Sequence, residues 1–386
     1  MSTGAGKSLR GLLAIIAGCL LVCGCELPRE RPATEEAERP VSAVQKSRLD
    51  PASPDLDFIE RGLKVLWRQD LGEIAEGNSL RDIYYTNGLL LAETPDANLF
   101  CFDAKTGIWT GSARLKSTLW VDPVRTGDRL SVLTARGIMT IDLSSGLTQK
   151  QFPARMPVSS DPVSYDGSLI FGAANGKCFR IHLNDGTFAW TRAAGGAVYE
   201  KPVLGDELLY LAGYGGQAVC LEVDKGKMRW GWEPGKPSKL TSGVALTEES
   251  VYVGDNRGFL YSLTTADGLV MWKFPVGGPV HRAPSPAGGG KLLVYTYKGP
   301  ALCLDVKDRP TFAWRYPDVE RMLGRGKENL YLLSRDKTLC CVGRERGEEK
   351  WQLPLVPGSL VTSEPDSPQL FFADPDGQIL ALTELD

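Results

Sequence analysis

The chain has 386 residues, of which 42% are hydrophobic and 24% are charged, so it holds enough apolar material for a large folded core. Lys and Arg number 44 against 47 for Asp and Glu, which gives a formal net charge of -3. This balance provides no basic excess to neutralise phosphates and argues against nucleic acid as a partner.

The N-terminal segment has the pattern of an export signal. Lys7 and Arg10 precede the apolar run "GLLAIIAGCLLVCGC", which ends at Cys25. The run is shorter than the roughly 20 residues that a membrane-spanning helix needs, whereas its length suits a secretory signal. The pattern therefore predicts an exported protein.

The end of this run, small residues followed by cysteine, resembles a bacterial lipobox. The resemblance implies removal of residues 1–24 as a signal peptide and attachment of diacylglycerol to Cys25. Cys19 in "IAGC" is the alternative, because its neighbours match better although the apolar run before it is shorter. An ordinary signal peptide or an uncleaved anchor without lipid also stays open. Glu26, in place of an inner-membrane-retaining aspartate, implies the outer membrane, facing the periplasm.

The segment that follows predicts a disordered tether. Residues 26–57 contain five prolines, thirteen charged residues and no aromatic residue. Such a composition cannot bury enough apolar surface to fold by itself. We expect residues 25–57 to connect the lipidated cysteine to a folded body at 58–386.

The body repeats a strand-like segment that ends in glycine. The repeats are "FCFDAKTG", "MTIDLSSG", "FRIHLNDG", "VCLEVDKG", "YSLTTADG" and "CCVGRERG", and they end at Gly107, Gly146, Gly186, Gly226, Gly268 and Gly347, with Arg309 at the same place in a seventh segment, "LCLDVKDR". A period of about 40 residues with short alternating strands is typical of the four-stranded blades of a β-propeller.

A large aromatic residue recurs four positions after many of these glycines, as in "DGTFAW" and "RGEEKW". The glycine can adopt the positive φ of a tight turn, and the aromatic residue begins the outer strand. We expect these indoles to wedge between neighbouring blades. The candidate wedges are Trp67, Trp190, Trp230, Trp272, Trp314 and Trp351.

The count of repeats predicts an all-β, eight-bladed propeller of four-stranded antiparallel blades. Seven turn motifs account for seven blades, and "GQILALTELD" at the C-terminus supplies the third strand of an eighth. Its missing outer strand resembles "LKVLWRQDL" at residues 63–71. An N-terminal strand should therefore complete the last blade and close the ring.

Prolines in step with the repeat mark the innermost strands, since a residue without an N–H suits a strand with one side open to a channel. They occur in "VDPV", "SDPV", "EKPV", "RAPS" and "SEPD". Charged and histidine residues beside them are the candidates for lining a central funnel: Asp122, Asp161, Lys201, His281, Arg282 and Glu364. The acids could form a cation site or simply a hydrated polar channel.

Several of these segments, including "FDAKTGIW", "IHLNDGTFAW" and "LTTADGLVMW", resemble the repeats of the pyrroloquinoline-quinone (PQQ) type. Within this family, the size, the lipobox and the closed ring of this chain most resemble those of the lipoprotein of the outer-membrane-barrel assembly machine. The resemblance implies a scaffold that binds protein partners, is held at the membrane by its lipid, and is a monomer within a larger complex. It implies no cofactor and no metal.

Two other functions stay open: a propeller that binds or senses a small molecule or sugar in the funnel, and a quinone-dependent dehydrogenase. The resemblance implies that such enzymes carry a funnel cofactor, calcium and often a disulfide between adjacent cysteines. Cys340 and Cys341 are adjacent, but consecutive strand residues face opposite sides of a sheet. Only His182 and His281 are present, without metal-ligand spacing, and the ring leaves few residues to cover a cofactor. We expect no enzyme.

Overall fold

The alternating apolar segments fold as thirty-two β-strands in the part of the chain that a computed structural model describes, which is residues 55–73, 79–134, 137–143, 145, 148–152, 157–363 and 366–385. A short helix, α1 (Asp55–Ile59), comes first, and a 3-10 turn at Leu71–Glu73 follows the first strand. The candidate lipidation sites Cys19 and Cys25 and nearly all of the tether lie outside the described residues.

The strands form eight four-stranded antiparallel sheets, which confirms the predicted eight-bladed propeller. The N-terminal strand is β1 (Leu63–Asp70). Blade 1 contains β2 (Asp82–Thr86), β3 (Leu89–Glu93), β4 (Asn98–Asp103) and β5 (Trp109–Arg114). Blade 2 contains β6 (Val124–Thr126), β7 (Arg129–Thr134), β8 (Gly137–Asp142) and β9 (Thr148–Phe152). Blade 3 contains β10 (Val163–Tyr165), β11 (Ser168–Gly172), β12 (Lys177–His182) and β13 (Phe188–Ala193).

The remaining blades repeat the same order. Blade 4 contains β14 (Val203–Gly205), β15 (Leu208–Ala212), β16 (Ala218–Glu222) and β17 (Met228–Trp232). Blade 5 contains β18 (Leu240–Leu246), β19 (Ser250–Asp255), β20 (Phe259–Thr264) and β21 (Val270–Pro275). Blade 6 contains β22 (Ser285–Gly288), β23 (Lys291–Tyr295), β24 (Ala301–Asp305) and β25 (Thr311–Tyr316). Blade 7 contains β26 (Val319–Arg325), β27 (Asn329–Ser334), β28 (Thr338–Gly343) and β29 (Glu349–Pro354), and blade 8 contains β30 (Leu360–Ser363), β31 (Leu370–Ala373) and β32 (Gln378–Glu384).

The two ends of the propeller meet in blade 8, as predicted. Strand β1 pairs antiparallel with β32, from Leu63 opposite Glu384 to Asp70 opposite Gln378. The Leu385 N–H donates to the Gly62 carbonyl at 2.8 Å. The Glu384 carboxylate accepts the Lys327 N–H at 2.8 Å and so also ties this blade to blade 7. The ring is therefore closed by strand pairing between distant parts of the chain.

The hydrophobic core lies between the blades, where the facing sheets bury both sides of each central strand. Cys341 packs in the cluster that blade 7 shares with blade 8, whereas Cys340 packs in the cluster that blade 7 shares with blade 6. The two thiols thus face opposite sides of β28, in agreement with the strand alternation. All six cysteines in the described part of the chain are buried and free.

Most candidate wedges lie on the turn glycine of the next blade. A Cβ atom built on that glycine would approach the indole to 2.5 Å for Trp67 on Gly107, 2.7 Å for Trp190 on Gly226, 2.7 Å for Trp230 on Gly268 and 2.4 Å for Trp314 on Gly347. No side chain fits in this space, and Gly268 also has a φ of 71°. The repeat thus requires glycine for the indole contact as well as for the turn.

The same indoles are hydrogen-bonded to the next blade. Each indole N–H donates to the carbonyl three residues before the contacted glycine: Trp67 to Ala104 at 2.9 Å, Trp190 to Val223 at 2.8 Å, Trp230 to Thr265 at 2.9 Å and Trp314 to Arg344 at 2.9 Å. The Trp351 N–H donates to the Arg61 carbonyl at 2.8 Å, directly before β1. Each bond satisfies a donor that would otherwise be costly to bury.

Other blade boundaries depart from this pattern. Trp272 faces blade 6, where Arg309 replaces the glycine; this indole is half-buried and lies 5.7 Å from the Tyr252 ring. Blade 2 uses Phe152 instead, with its ring 2.4 Å from the Cβ position of Gly186. A phenyl ring can fill the same space but donates no hydrogen bond.

We expect Trp230→Ala to lower the free energy of unfolding by about 3–5 kcal/mol, because the change opens a cavity and removes the bond to Thr265. Trp109→Ala is the matched control, since this blade 1 indole is 49% exposed and bonds only within its own strand, to Gly111. The control should lose less than about 1 kcal/mol. Urea unfolding measures both values, and equal losses would contradict the wedge role.

Candidate functional site: the central channel

The channel wall is built by the segments that lead into the innermost strands. Four of the marking prolines, Pro123, Pro162, Pro202 and Pro284, are buried directly before β6, β10, β14 and β22. Because proline fixes φ and donates no hydrogen bond, it holds the preceding residues extended without leaving an unpaired N–H. The side chains before each proline are thereby presented at equivalent positions of successive blades.

Charged residues gather at this level of the ring. The predicted Asp122, Asp161, Lys201 and Arg282 lie there, and the structure adds Asp82, Glu200 and Arg321, which interact electrostatically with them. Glu200 lies beside Lys201 in the proline-marked segment "EKPV", whereas Asp82 and Arg321 have no marking proline. The signal for the latter two was the blade period itself, since Asp82 lies 40 residues before Asp122 and Arg321 lies 39 residues after Arg282. Glu364 lies outside the described residues.

The two signs of charge are unevenly distributed around the channel. Acids belong to four consecutive blades: Asp82 begins β2 of blade 1, and Asp122, Asp161 and Glu200 precede the first strands of blades 2, 3 and 4. Arg282 precedes blade 6, Arg321 lies in β26 of blade 7, and Lys201 is a cation among the acids. Within the described part of the chain, no salt bridge joins any of these seven groups.

Asp122 and Asp161 are joined by a hydrogen bond. The Asp122 backbone N–H donates to the Asp161 Oδ1 atom at 3.0 Å. Although water reaches Asp122, the surrounding wall partly desolvates it; this desolvation and the nearby Asp161 charge raise the pKa of the Asp122 carboxyl group to about 7, against the attraction of Lys201. The channel wall therefore gains or loses a charge near neutral pH.

Burial also shifts the pKa values of Glu200, Arg321 and Asp82. Desolvation raises the pKa of the Glu200 carboxyl group, and the Arg282 charge partly offsets this rise. Burial also lowers the pKa of Arg321, and the like charge of Arg282 lowers it further. Asp82 shows a raised pKa for the same reason of burial. Acids on one side and arginines on the other side of a partly desolvated channel create a field across it.

A cavity of about 360 Å³ opens at one end of this charged region. It is lined by Asp122, Lys201 and Arg321 together with neutral side chains such as Tyr85 and Thr362. A cavity of about 600 Å³ lies at the ring closure, where Lys64, Lys327, Glu328 and Glu384 line it, and its Glu384 carboxylate already accepts hydrogen bonds from Lys327 and Asn329. The channel cavity, whose charged side chains form no salt bridge in the described part of the chain, is the candidate for holding a small polar group. Among the described residues, no three His, Cys, Asp or Glu side chains are grouped to hold a metal ion.

His281 lies at the channel on the side of blade 6. Burial, then the charges of Arg282 and Arg335, lower the pKa of its imidazole, so the neutral ring is favoured. Its Nδ1 atom is buried and has no hydrogen-bond partner in the described part of the chain. The ring lies edge-on to Tyr297, with 6.1 Å between centroids. His182, by contrast, lies at a turn and bonds to the Ser168 hydroxyl at 3.1 Å.

Comparison with known proteins shows which families this chain is similar to. A family model described as outer membrane protein assembly factor BamB matches residues 231–328. BamB of Escherichia coli is 32% identical over 105 residues, which cover 24% of this chain and 27% of the relative. BamB of Burkholderia pseudomallei is 26% identical over 234 residues, 55% of this chain and 60% of the relative. The chain thus matches from about a quarter to three fifths of these relatives' length.

Enzymes are also similar to this chain, at a lower sequence identity. Tetrathionate hydrolase of Acidithiobacillus ferrooxidans is 23% identical over 219 residues, covering 55% of this chain and 41% of the relative. Among solved structures, BamB from Moraxella catarrhalis covers 78% of this chain and 86% of its own at a TM-score of 0.51 and 18% identity. A quinohemoprotein alcohol dehydrogenase from Pseudomonas putida HK5 covers 84% of this chain and 76% of its own, at a TM-score of 0.63 and 11% identity. At these identities the solved structures establish the fold alone.

The blade repeat, the closed eight-bladed ring and these matches together define a β-propeller of the PQQ-like class. Within that class, the chain is similar to BamB, the outer membrane protein assembly factor.

The raised pKa of Asp122 makes a prediction about stability. Its ordinary value is 3.8 and its folded value is about 7, so the folded state binds the proton more tightly. The resulting stabilisation is complete below about pH 3.8 and is lost as the pH rises through 7. Asp122→Asn cannot ionise, so its melting temperature relative to the wild type should rise from pH 5 to pH 8.

Thermal unfolding at one-unit pH intervals measures this difference. Asp308→Asn, at an exposed turn, controls for the removal of one carboxylate from the surface. A difference between Asp122→Asn and the wild type that stays constant from pH 5 to pH 8 would contradict the raised pKa of the Asp122 carboxyl group.

Proposed function

We propose that this protein is a lipid-anchored, periplasm-facing propeller that acts as a protein-interaction scaffold in outer-membrane protein assembly. The observation that carries the proposal is the match of residues 231–328 to the BamB family model within an eight-bladed ring. We expect the protein to act as a monomer bound to other components of an assembly complex.

The distribution of residues supports a scaffold. Most apolar residues are buried between the blades, and the connections between strands within a blade are short. What the fold leaves for function is a set of broad faces and rims built from turns and edge strands, a form suited to protein partners. The charged channel adds a site where a polar group of a partner or a small ligand could be held.

The anchor is the second part of the proposal. None of the helices in the described part of the chain has the length and apolar character of a membrane-spanning helix. We expect attachment through lipid on Cys25 at the end of the export signal, because the apolar run before it has the better length. A lipidated Cys25 would leave the residues up to 57 as the link between the membrane and the propeller.

Metabolic labelling with radioactive palmitate in a Gram-negative host tests the anchor. The wild type and Cys19→Ala should incorporate label, whereas Cys25→Ala should not, because only Cys25 would receive the lipid. Loss of label in Cys19→Ala alone would move the site to Cys19. An unlabelled wild-type protein would contradict the lipoprotein assignment.

Reversible crosslinking in intact cells, followed by affinity purification and mass spectrometry, tests the scaffold. Components of the outer-membrane-barrel assembly machine should be enriched at least tenfold over a parallel purification of an unrelated lipoprotein of similar abundance. The reason is that a scaffold remains within reach of its complex in the membrane. Equal recovery in both purifications would remove support for the assembly role.

A further inference from the structure

The outer rim of the propeller exposes apolar side chains at one repeated position, the first residues of the outer strand after the turn glycine. Trp109, Phe188, Met228, Val270 and Phe312 occupy corresponding places in five blades. Single exposed apolar residues are common on protein surfaces. Blade 5 differs, because Leu269, Val270 and Met271 are consecutive and are 64%, 46% and 50% exposed.

Blade 7 shows that the fold does not require apolar residues there. The sequence is "GLVMW" in blade 5 and "GEEKW" in blade 7. Gly268 and Gly347 have φ values of 71° and 69°. Val270 opposes Leu263 beside a bulge, just as Glu349 opposes Val342 beside the equivalent bulge. The same backbone therefore accepts either chemistry at this turn. Leu269 and Val270 point to solvent, whereas the Met271 sulfur also accepts the Ser250 and Ser262 hydroxyls at 3.5 and 3.8 Å.

Acidic side chains lie beside the blade 5 run. The turn that holds Glu248 and Glu249 lies against this end of the outer strand, since the Thr265 N–H donates to the Glu249 carbonyl at 3.2 Å. The Asp267 carboxylate accepts the Leu269 N–H at 3.3 Å. All three carboxylates are exposed, and in the described part of the chain none of them forms a salt bridge.

An apolar patch with unpaired acids at its border fits a particular kind of partner. Apolar side chains gain most from burial in the centre of an interface, while complementary charges at its border select and orient the partner. An anionic lipid surface would be repelled by the three carboxylates. A second copy, docking the same patch, would bring like charges together. The complementary surface is a protein segment with apolar residues flanked by Lys or Arg.

We infer that the blade 5 rim, defined as Leu269, Val270 and Met271 with Glu248, Glu249 and Asp267, docks a basic amphipathic segment of a partner protein. The inference deepens the proposed scaffold function and rests on it for the partner being a protein. Met228 and Phe312 occupy the same register in blades 4 and 6 and are also exposed.

The test exchanges the two blade sequences. The variant L269E/V270E/M271K gives blade 5 the residues of blade 7 and should fold, because the same turn backbone carries them in blade 7; only the Met271 contacts to Ser250 and Ser262 are lost. The matched control E348L/E349V/K350M alters blade 7 by the same three side chains and leaves the blade 5 rim intact. The probes are two fluorescent synthetic peptides that share the same amphipathic arrangement of Leu residues. The remaining positions are Lys in one peptide and Glu in the other.

Fluorescence anisotropy should show the Lys peptide binding to the full-length wild type at least tenfold more tightly than the Glu peptide. The blade 5 variant should lose at least tenfold in affinity for the Lys peptide, and the blade 7 control should keep the wild-type affinity. Equal binding of the Lys peptide by the wild type and the blade 5 variant would overturn the inference, as would the absence of binding to the wild type.

Two further measurements decide between occupants. Co-sedimentation with phosphatidylethanolamine and phosphatidylglycerol vesicles that is lost in the blade 5 variant would assign the rim to lipid and overturn the inference. Concentration-dependent dimers lost in the same variant would assign it to a second copy, with the same result. Failure of the scaffold proposal is separate: it would appear as no assembly components in the cellular crosslinking, even with peptide binding at blade 5 intact.

Discussion

The structure depends on one repeated contact, an indole laid flat against the turn glycine of the next blade with its N–H bonded to a nearby carbonyl. Trp230 on Gly268 is representative: the ring occupies the space of the missing Cβ, and the N–H bonds to Thr265. Each contact joins the outer strand of one sheet to the turn of its neighbour. The ring therefore holds together through links between adjacent blades.

This use of apolar residues decides where function can lie. The sheets are filled on both faces, so binding chemistry is confined to the channel and to the outer surfaces. The channel carries acids on blades 1–4 and arginines on blades 6 and 7, while the blade 5 rim carries an apolar run among carboxylates. The two regions suit different ligands, a small polar group in the first and a protein segment in the second.

Most of the fold was predictable because the physical requirement repeats in the sequence. Glycine at the turn and tryptophan four residues later recur with the blade period, and the orphaned strand around Trp67 identified the closure. The bond from each indole to the next blade was not predictable, since it joins residues such as Trp190 and Val223 that share no local pattern. Phe152 was missed because it fills the wedge space without the usual spacing.

The channel was predictable only in part. Proline located Asp122, Asp161, Lys201 and Arg282, but blades 1 and 7 have no such proline, and Asp82 and Arg321 were therefore missed. The ring closure has a further mechanical consequence. Tension applied to the chain before Asp55 would pass through α1 into β1, and would pull β1 along β32 before it strained any other sheet. The seam in blade 8 is thus where a stretched propeller would first part, with the other seven sheets still folded.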